Sequence, residues 1–381
     1  MVTVEKILGQ AKPLETIDRI IKLGKRGQAI LLTGRPGIGK FALASYMANR
    51  FLCQDDNKGC GKCYSCRSIS NLNHADYLLV FPFPNISPES KKNTLFHFSD
   101  PVTSDARYSN DTLDEVNRFL TEKSIDPYRI VSFAKKENIP VEVIKDLIRA
   151  IGKKPMLGER RAVVICDIDR MAFGAADLFL KTVEEPPEDS LIILTSSRPH
   201  FLLPTLLSRT LKIPLGPVSD NLIKRYLEEQ RANGSNDFYI RFSSGSPGMA
   251  LKACEEGLIE RRDKLWKIIS EFIEKPSLEK TIEVLQRRYQ WPDYDSVRGD
   301  FDVMEKILRD IYIAKLGLEK NLINIDIKDR IMAVARKAPS ENALQRWFEI
   351  ITRASRVHGV NNVSADIAFI GMFIEFERVK V

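Results

Sequence analysis

The sequence has no long apolar run and only a small excess of one charge. No stretch approaches the roughly 20 consecutive apolar residues that a helix needs to cross a bilayer, and the first residues show no signal-peptide core. Lysine and arginine outnumber aspartate and glutamate by 58 to 51, which permits contact with nucleic acid or acidic partners without requiring it. We therefore expect a cytoplasmic protein that makes no membrane contact.

The composition is that of an ordinary folded protein. Of its 381 residues, 44% are hydrophobic and 29% are charged, so global disorder is not expected. At roughly 100 to 200 residues per domain, the length predicts two or three domains.

Cysteine is scarce but concentrated. Four of the six cysteines lie within fourteen residues, in the spacing C-x6-C-x2-C-x2-C: Cys53, Cys60, Cys63 and Cys66. Four thiolates at this spacing can surround one tetrahedral Zn²⁺ and leave no open position for water, which predicts a structural site. Disulfides are the weaker alternative because cytosolic thiols are kept reduced, and the spacing alone leaves an iron–sulfur cluster open. His74 is interpreted as a surface or loop histidine rather than a ligand.

Residues 29 to 42, AILLTGRPGIGKFA, resemble a phosphate-binding loop of the type G-x-x-x-x-G-K-[ST]. A short apolar run precedes the loop and predicts a buried parallel strand, and an apolar pattern at helical spacing follows it. Such a loop surrounds phosphate oxygens with backbone N–H groups, and its lysine pairs with the terminal phosphates. The candidate nucleotide-binding residues here are Gly34, Gly37, Gly39 and Lys40, with Asp167 from a later strand.

The same site lacks two groups that hydrolysis needs. Phe41 stands where a serine or threonine hydroxyl would bind Mg²⁺, and an aromatic ring cannot ligate this cation. RRAVVICDIDRM predicts the second acidic strand, with Asp167 at its end, but Ile168 stands where a water-polarising glutamate belongs. Asp169 is expected on the other side of that extended strand. Nucleotide binding can persist in such a site, whereas efficient hydrolysis is not expected.

Three further sequence segments accompany the phosphate loop, the acidic strand and the cysteines. LKTVEEPP (180–187) follows the acidic strand, LLSRT ends at Thr210, and ILGQ (7–10) precedes the loop. In this order, together with the cysteines, the chain resembles the bacterial DNA polymerase III clamp loader family of AAA+ proteins. Within that family it is most similar to the delta-prime subunits, and the resemblance covers nearly the whole chain.

The resemblance implies roles for particular residues. Arg209 corresponds to the arginine that the family presents in trans to the ATP of a neighbouring subunit, although Thr210 replaces the family's cysteine. Gly248 stands where active members carry an arginine that senses the γ-phosphate. The ILGQ segment corresponds to the one that lies near the adenine base. These matches imply a subunit that can hold ATP without hydrolysing it and that completes another subunit's active site.

The resemblance also implies partners and architecture. The expected neighbours are a gamma/tau-type motor subunit and the clamp-opening delta subunit, and indirectly the sliding clamp and primer–template DNA. The expected fold is an α/β AAA+ core, in which helices flank a parallel sheet, followed by a small helical lid and an all-α collar. The predicted boundaries are 1–213 for the core, with the cysteine knuckle at 53–66 and an irregular insertion at about 80–137, then 214–257 for the lid and 258–381 for the collar.

Parts of the sequence also fit two other functions. An active motor subunit would use Lys40 and Asp167 to hydrolyse ATP. The cysteine knuckle could instead read DNA sequence, but its cysteines are too close together to frame a recognition helix, and acidic residues lie where phosphates would approach.

Overall fold

The computed structural model describes residues 7–22, 27–55, 59–84, 110–133, 137–232, 237–289, 294–361 and 363–379. By its internal contacts the chain divides into two compact units, which are described separately. The first contains Met1–Glu229 and Gly245–Lys252, and the second contains Gln230–Ser244 and Ala253–Val381. The three-part division with borders after residues 213 and 257 stays a prediction.

A five-stranded parallel sheet forms the centre of the first unit, in the order β2-β5-β6-β1-β7. A short antiparallel pair, β3 with β4, lies apart from it. Residues 30–32 of β1 are fully buried, as expected for a parallel strand covered on both faces. The strands are β1 Gln28–Thr33, β2 Tyr77–Val80, β3 Phe83–Pro84, β4 Glu137–Asn138, β5 Arg161–Ile165, β6 Ser190–Ser196 and β7 Leu211–Pro214.

Helices flank this sheet, which confirms the predicted fold class of the core. The helix after the phosphate loop packs on β5 and β6, and the helix from the LKTVEEPP region packs near β1. The helices of this unit are α1 Ala11–Lys22, α2 Lys40–Leu52, α3 Tyr64–Ser70, α4 Asn110–Ile125, α5 Val141–Ile151, α6 Ala175–Glu184, α7 Pro204–Ser208 and α8 Asp220–Glu229. The helix α10, Pro247–Glu255, begins in this unit.

The predicted irregular insertion at about 80–137 is partly wrong. Residues 85–109 and 134–136 lie outside the described part of the chain, but residues 110–125 form the sixteen-residue helix α4. Phe119 on α4 is buried and stacks on Phe81, with ring centroids 3.9 Å apart, and on Phe133, at 5.8 Å. The sequence before α4 is rich in proline and serine, so the pattern of residues did not predict this apolar contact.

The second unit is helical, and its described residues contain no strand. Its core includes Trp266, Phe272 and Trp347, and Phe348 is partly buried against this core. No described helix is long and apolar enough to cross a membrane. The helices are α9 Asp237–Phe242, α11 Leu258–Glu274, α12 Leu278–Arg288, α13 Tyr294–Lys315, α14 Lys328–Ala335, α15 Glu341–Asn361 and α16 Ala365–Arg378.

Candidate nucleotide site and cysteine cluster

The loop between β1 and α2 has the form that the sequence predicted. Gly39 precedes the first helical residue, Lys40, and has a φ of 110°, a conformation that side chains rarely adopt. The loop thus places Gly34, Gly37, Gly39 and Lys40 together at the carboxyl end of β1. This is the edge of a parallel sheet at which ligands of α/β proteins bind.

The Lys40 ammonium is already bound within the protein. Its Nζ donates to the carbonyl oxygens of Gly34 at 2.8 Å and Arg35 at 3.0 Å, and to Ser197 Oγ at 2.8 Å. Burial lowers the pKa of Lys40, and the nearby carboxylates of Asp167 and Asp169 oppose that shift. All three ammonium hydrogens therefore have acceptors, so pairing with a phosphate would require this arrangement to break.

The two carboxylates near Lys40 are placed differently from the prediction. β5 ends at Ile165, and Asp167 has a φ of 46°, which turns the chain into a short 3₁₀ helix at Ile168–Arg170. Because the strand has already ended, Asp169 does not lie on the far side of it. Asp169 instead accepts hydrogen bonds from Ser196 Oγ at 2.7 Å and Arg198 Nε at 2.9 Å.

Asp167 is held in a poorly solvated position. Its backbone N–H donates to Thr195 Oγ1 at 3.0 Å, and burial raises its pKa despite the opposing charges of Lys40 and Lys123. The next residue, Ile168, is buried and offers no group that could polarise water. At the position where a catalytic glutamate is expected, the chain therefore has a buried apolar side chain that belongs to the hydrophobic core.

Phe41 faces a lysine. The Lys123 ammonium, from α4, lies 5.1 Å from the centroid of the buried Phe41 ring, within the range of a cation–π contact. Burial lowers the pKa of Lys123, whereas Cys166 and then Asp167 raise it electrostatically. An internal cation therefore lies close to Asp167, beside the ring that replaces the magnesium-binding hydroxyl.

Lys123 and Tyr128 are site residues that sequence reasoning missed. The Tyr128 ring lies so close to Gly39 that a Cβ atom on that glycine would be 2.6 Å from it. Both residues belong to the stretch interpreted as an insertion, and neither is part of a recognisable motif. Their contacts with the loop depend on long-range packing.

The four cysteines come together as the spacing predicted. Cys53 follows α2 and Cys63 precedes α3, and the four Sγ atoms lie within 4.8 Å of one another. Four sulfurs around Zn²⁺ at about 2.3 Å would be about 3.8 Å apart, so only a small contraction is needed. The Cys60 and Cys66 sulfurs are already 4.0 Å apart, well beyond a disulfide bond.

Backbone N–H groups favour thiolate at part of this cluster. The amides of Cys63 and Lys62 lower the pKa of Cys60 to about 6, and the Cys60 amide donates to Cys53 Sγ at 3.3 Å. Burial raises the pKa of Cys66, so this thiol needs a bound cation to deprotonate it at neutral pH. The donor set fits a structural metal ion.

His74, interpreted as a surface or loop histidine, lies in the loop between α3 and β2, but it is not at the surface. His74 is buried, its Nε2 is 3.0 Å from Ser65 Oγ, and its Nδ1 accepts the Asp76 N–H at 3.0 Å. Burial lowers the pKa of this ring. One ring nitrogen contacts Ser65 of α3 and the other contacts Asp76, the residue before β2. His74 therefore helps to fix α3, which carries part of the cysteine knuckle, next to β2.

Arg209 lies at the surface after α7, just before the start of β7, whereas the phosphate loop follows the carboxyl end of the neighbouring parallel strand β1. Its guanidinium makes a forked contact with Glu184, with Nε at 3.2 Å from one carboxylate oxygen and an Nη at 3.3 Å from the other. It also donates to the Thr205 carbonyl oxygen at 3.1 Å. Glu184 belongs to LKTVEEPP and Arg209 belongs to LLSRT, so these two sequence segments contact each other at the surface.

The fold and this site define a phosphate-loop protein of the AAA+ class with an additional helical unit. The sequence model of the family described as DNA polymerase III, delta subunit, matches residues 9–219, more than half of the chain. The chain belongs to this family.

Individual relatives agree with the family match. The DNA polymerase III subunit delta' of Pseudomonas aeruginosa is 27% identical over 250 residues, which are 63% of this chain and 61% of that protein. The chain thus spans about three fifths of the length of this relative. The subunit delta' of Bacillus subtilis is 22% identical over 368 residues, 93% of this chain and 92% of that protein. A gamma subunit-related protein of Thermotoga maritima covers 97% of this chain and 100% of its own at 18% identity, but its TM-score is only 0.42.

Proposed function

We propose that this chain is a delta-prime-type clamp loader subunit that does not hydrolyse ATP and that offers Arg209 to the ATP of a neighbouring motor subunit. The assembly would place a sliding clamp on primed DNA during replication. Relatives named DNA polymerase III subunit delta' support the subunit type. The partners would be a gamma/tau-type motor subunit on one side and the clamp-opening delta subunit on the other.

The observation that carries this proposal is an asymmetry within the first unit. Lys40 is bound by three internal acceptors and Phe41 contacts the Lys123 ammonium, which supports a site that does not position Mg²⁺ and phosphate for hydrolysis. Arg209, by contrast, is exposed, and its partners among the described residues, Glu184 and the Thr205 carbonyl oxygen, form exposed contacts with it. A cation held in this way can exchange its partner for a triphosphate.

Releasing Arg209 from Glu184 costs little free energy. An exposed ion pair such as Arg209–Glu184 contributes about 0 to 1 kcal/mol, whereas arginine fingers contribute roughly 10³ to 10⁵ in rate in other nucleotide hydrolases. Glu184 would therefore orient the guanidinium before assembly without competing strongly for it afterwards. The cysteine cluster would hold one structural Zn²⁺ at the end of α2, remote from this chemistry.

Two measurements test the proposal. The purified chain should hydrolyse no ATP above background, and rapid turnover that disappears in Lys40→Ala would instead identify an active motor subunit. In the reconstituted complex, Arg209→Ala should lower turnover at the receiving site by about 10³ or more. Lys212→Ala, which removes a nearby exposed cation from β7, is the matched control, and full activity of Arg209→Ala would refute the role of Arg209.

A further inference from the structure

The side chain of Asn49 lies between α2 and the cysteine cluster. Asn49 is on α2, about one helical turn before Cys53, and only 3% of it is exposed. A buried side-chain amide needs hydrogen-bond partners inside the protein, because it has lost those that water provides. Its contacts therefore show which part of the structure it stabilises.

The Asn49 amide makes two hydrogen bonds with Cys66. Asn49 Nδ2 donates to the Cys66 carbonyl oxygen at 3.4 Å, and the Cys66 thiol donates to Asn49 Oδ1 at 3.0 Å. Cys66 is fully buried, whereas Cys60 and Cys63 are partly exposed. The amide thus holds both the backbone and the sulfur of the most deeply buried cysteine of the cluster.

Backbone amides contact the other three sulfurs. Each accepts a backbone N–H at 3.3 to 3.4 Å: Cys53 from Cys60, Cys60 from Cys63, and Cys63 from Cys66. These donors belong to the main chain and do not depend on the identity of a side chain. At Cys66 the Gly61 amide also favours the thiolate, but this sulfur contacts the Asn49 side chain as well. A substitution of Asn49 therefore changes the surroundings of one sulfur without replacing a cysteine.

The neighbouring loop and α3 fix the position of this contact. A Cβ atom on Gly59, in the loop before Cys60, would be 3.5 Å from Asn49 Oδ1. Gly59 has a φ of 63°, a conformation that favours glycine, so the loop can pack closely here. Ser65, the residue before Cys66, is held in turn by His74. Side chains from two different segments therefore hold adjacent residues of α3.

An asparagine amide suits a sulfur that binds a metal ion. A metal-bound cysteine sulfur carries no proton and only accepts hydrogen bonds. The N–H₂ and C=O groups of an amide are nearly equal in size, so a rotation of about 180° brings Nδ2 to the sulfur with little change in packing. The Cys66 carbonyl oxygen then keeps the Ser70 hydroxyl as its donor, at 2.8 Å. Asn49 can thus hydrogen-bond to Cys66 with or without the metal ion.

We propose that Asn49 is a positioning residue of the metal site, which holds Cys66 in the cluster and donates an N–H to its sulfur when the metal ion is bound. The four cysteines remain the ligands, and Asn49 raises their affinity for the ion. Partners of this kind change metal affinity by about 10- to 100-fold. This role concerns the cysteine cluster alone and is independent of the role proposed for Arg209.

The zinc affinity of the full-length chain tests this role. The protein is freed of metal under reducing conditions and titrated with Zn²⁺ against a chelator of known affinity. Asn49→Leu, of similar volume, removes both hydrogen bonds and should weaken binding about tenfold. Asn49→Asp places only acceptor oxygens beside the sulfur and should weaken binding about 100-fold. Asn71→Asp, an exposed position that follows α3, is the matched control and should change the affinity by no more than about twofold.

A Co²⁺ spectrum separates positioning from a general loss of stability. Losing an N–H donor raises the energy of the sulfur lone pairs, so the thiolate-to-cobalt charge-transfer band should move to lower energy in both Asn49 variants and stay in place in Asn71→Asp. A side chain needed only for folding would destabilise metal-free and metal-bound protein alike and change neither the affinity nor the band. Wild-type affinity in Asn49→Asp, or an unshifted band in both Asn49 variants, would overturn the proposal. Wild-type protein that binds neither ion would overturn the metal site and this role with it.

Discussion

Restoring the missing hydroxyl at residue 41 should damage this protein without activating it. By sequence alone, Phe41→Ser completes the motif G-x-x-x-x-G-K-[ST] and should improve the magnesium site. In the structure, Phe41 is buried and its ring faces the Lys123 ammonium. The substitution removes a packed ring and leaves the Lys123 ammonium with one aromatic contact, the Phe119 ring at 5.9 Å.

The size of the effect follows from this environment. Truncating a buried phenylalanine costs about 3 to 5 kcal/mol, and losing a cation–π contact adds to that cost. Native stabilities are about 5 to 15 kcal/mol, so the loss is a large fraction of the total. With a urea dependence of about 1 to 3 kcal/mol per molar, the unfolding midpoint should fall by about 1 M or more.

Urea titration followed by circular dichroism measures the stability, and ATP turnover is measured on the same samples. Phe173→Ser is the matched control because Phe173 is fully exposed, and this change should alter stability by no more than about 0.5 kcal/mol. A Phe41→Ser protein that is as stable as wild type, or that gains Mg²⁺-dependent hydrolysis, would refute the reasoning.

Two further results are expected. Atomic spectroscopy should find about one Zn²⁺ per chain, lost in Cys60→Ser and retained in Cys254→Ser, and equal content in both variants would exclude the cluster as the site. Because burial lowers the pKa of His74, protons bind the unfolded chain preferentially, and stability should fall as the pH drops from about 7 to 5. His74→Gln should weaken this dependence while the exposed His200→Gln keeps it, and identical curves for both would contradict the assignment.

The sequence allowed the locally encoded parts of the site to be predicted. The strand–loop–helix unit and the four-cysteine cluster each depend on residues within about one turn or loop of each other, so spacing alone places their ligands. The Tyr128 contact could not be found in this way, because its partner Leu8 is 120 residues away. Asp169 was misplaced because a single left-handed residue, Asp167, ends the strand earlier than the apolar pattern suggested.

The absent groups of the nucleotide site are linked by packing. At residue 248 the family resemblance implies a sensor arginine, but such a side chain would need the volume that the Tyr128 carbonyl and Gly37 now fill. In the same way, Phe41 itself offers no ligand to Mg²⁺, but its ring makes the cation–π contact with the Lys123 ammonium. The missing hydroxyl at residue 41 and the missing arginine at residue 248 look independent in the sequence. In the structure, the residues that replace them pack against side chains and backbone of the same region. Reverting any one of them alone should destabilise that arrangement before it restores catalysis.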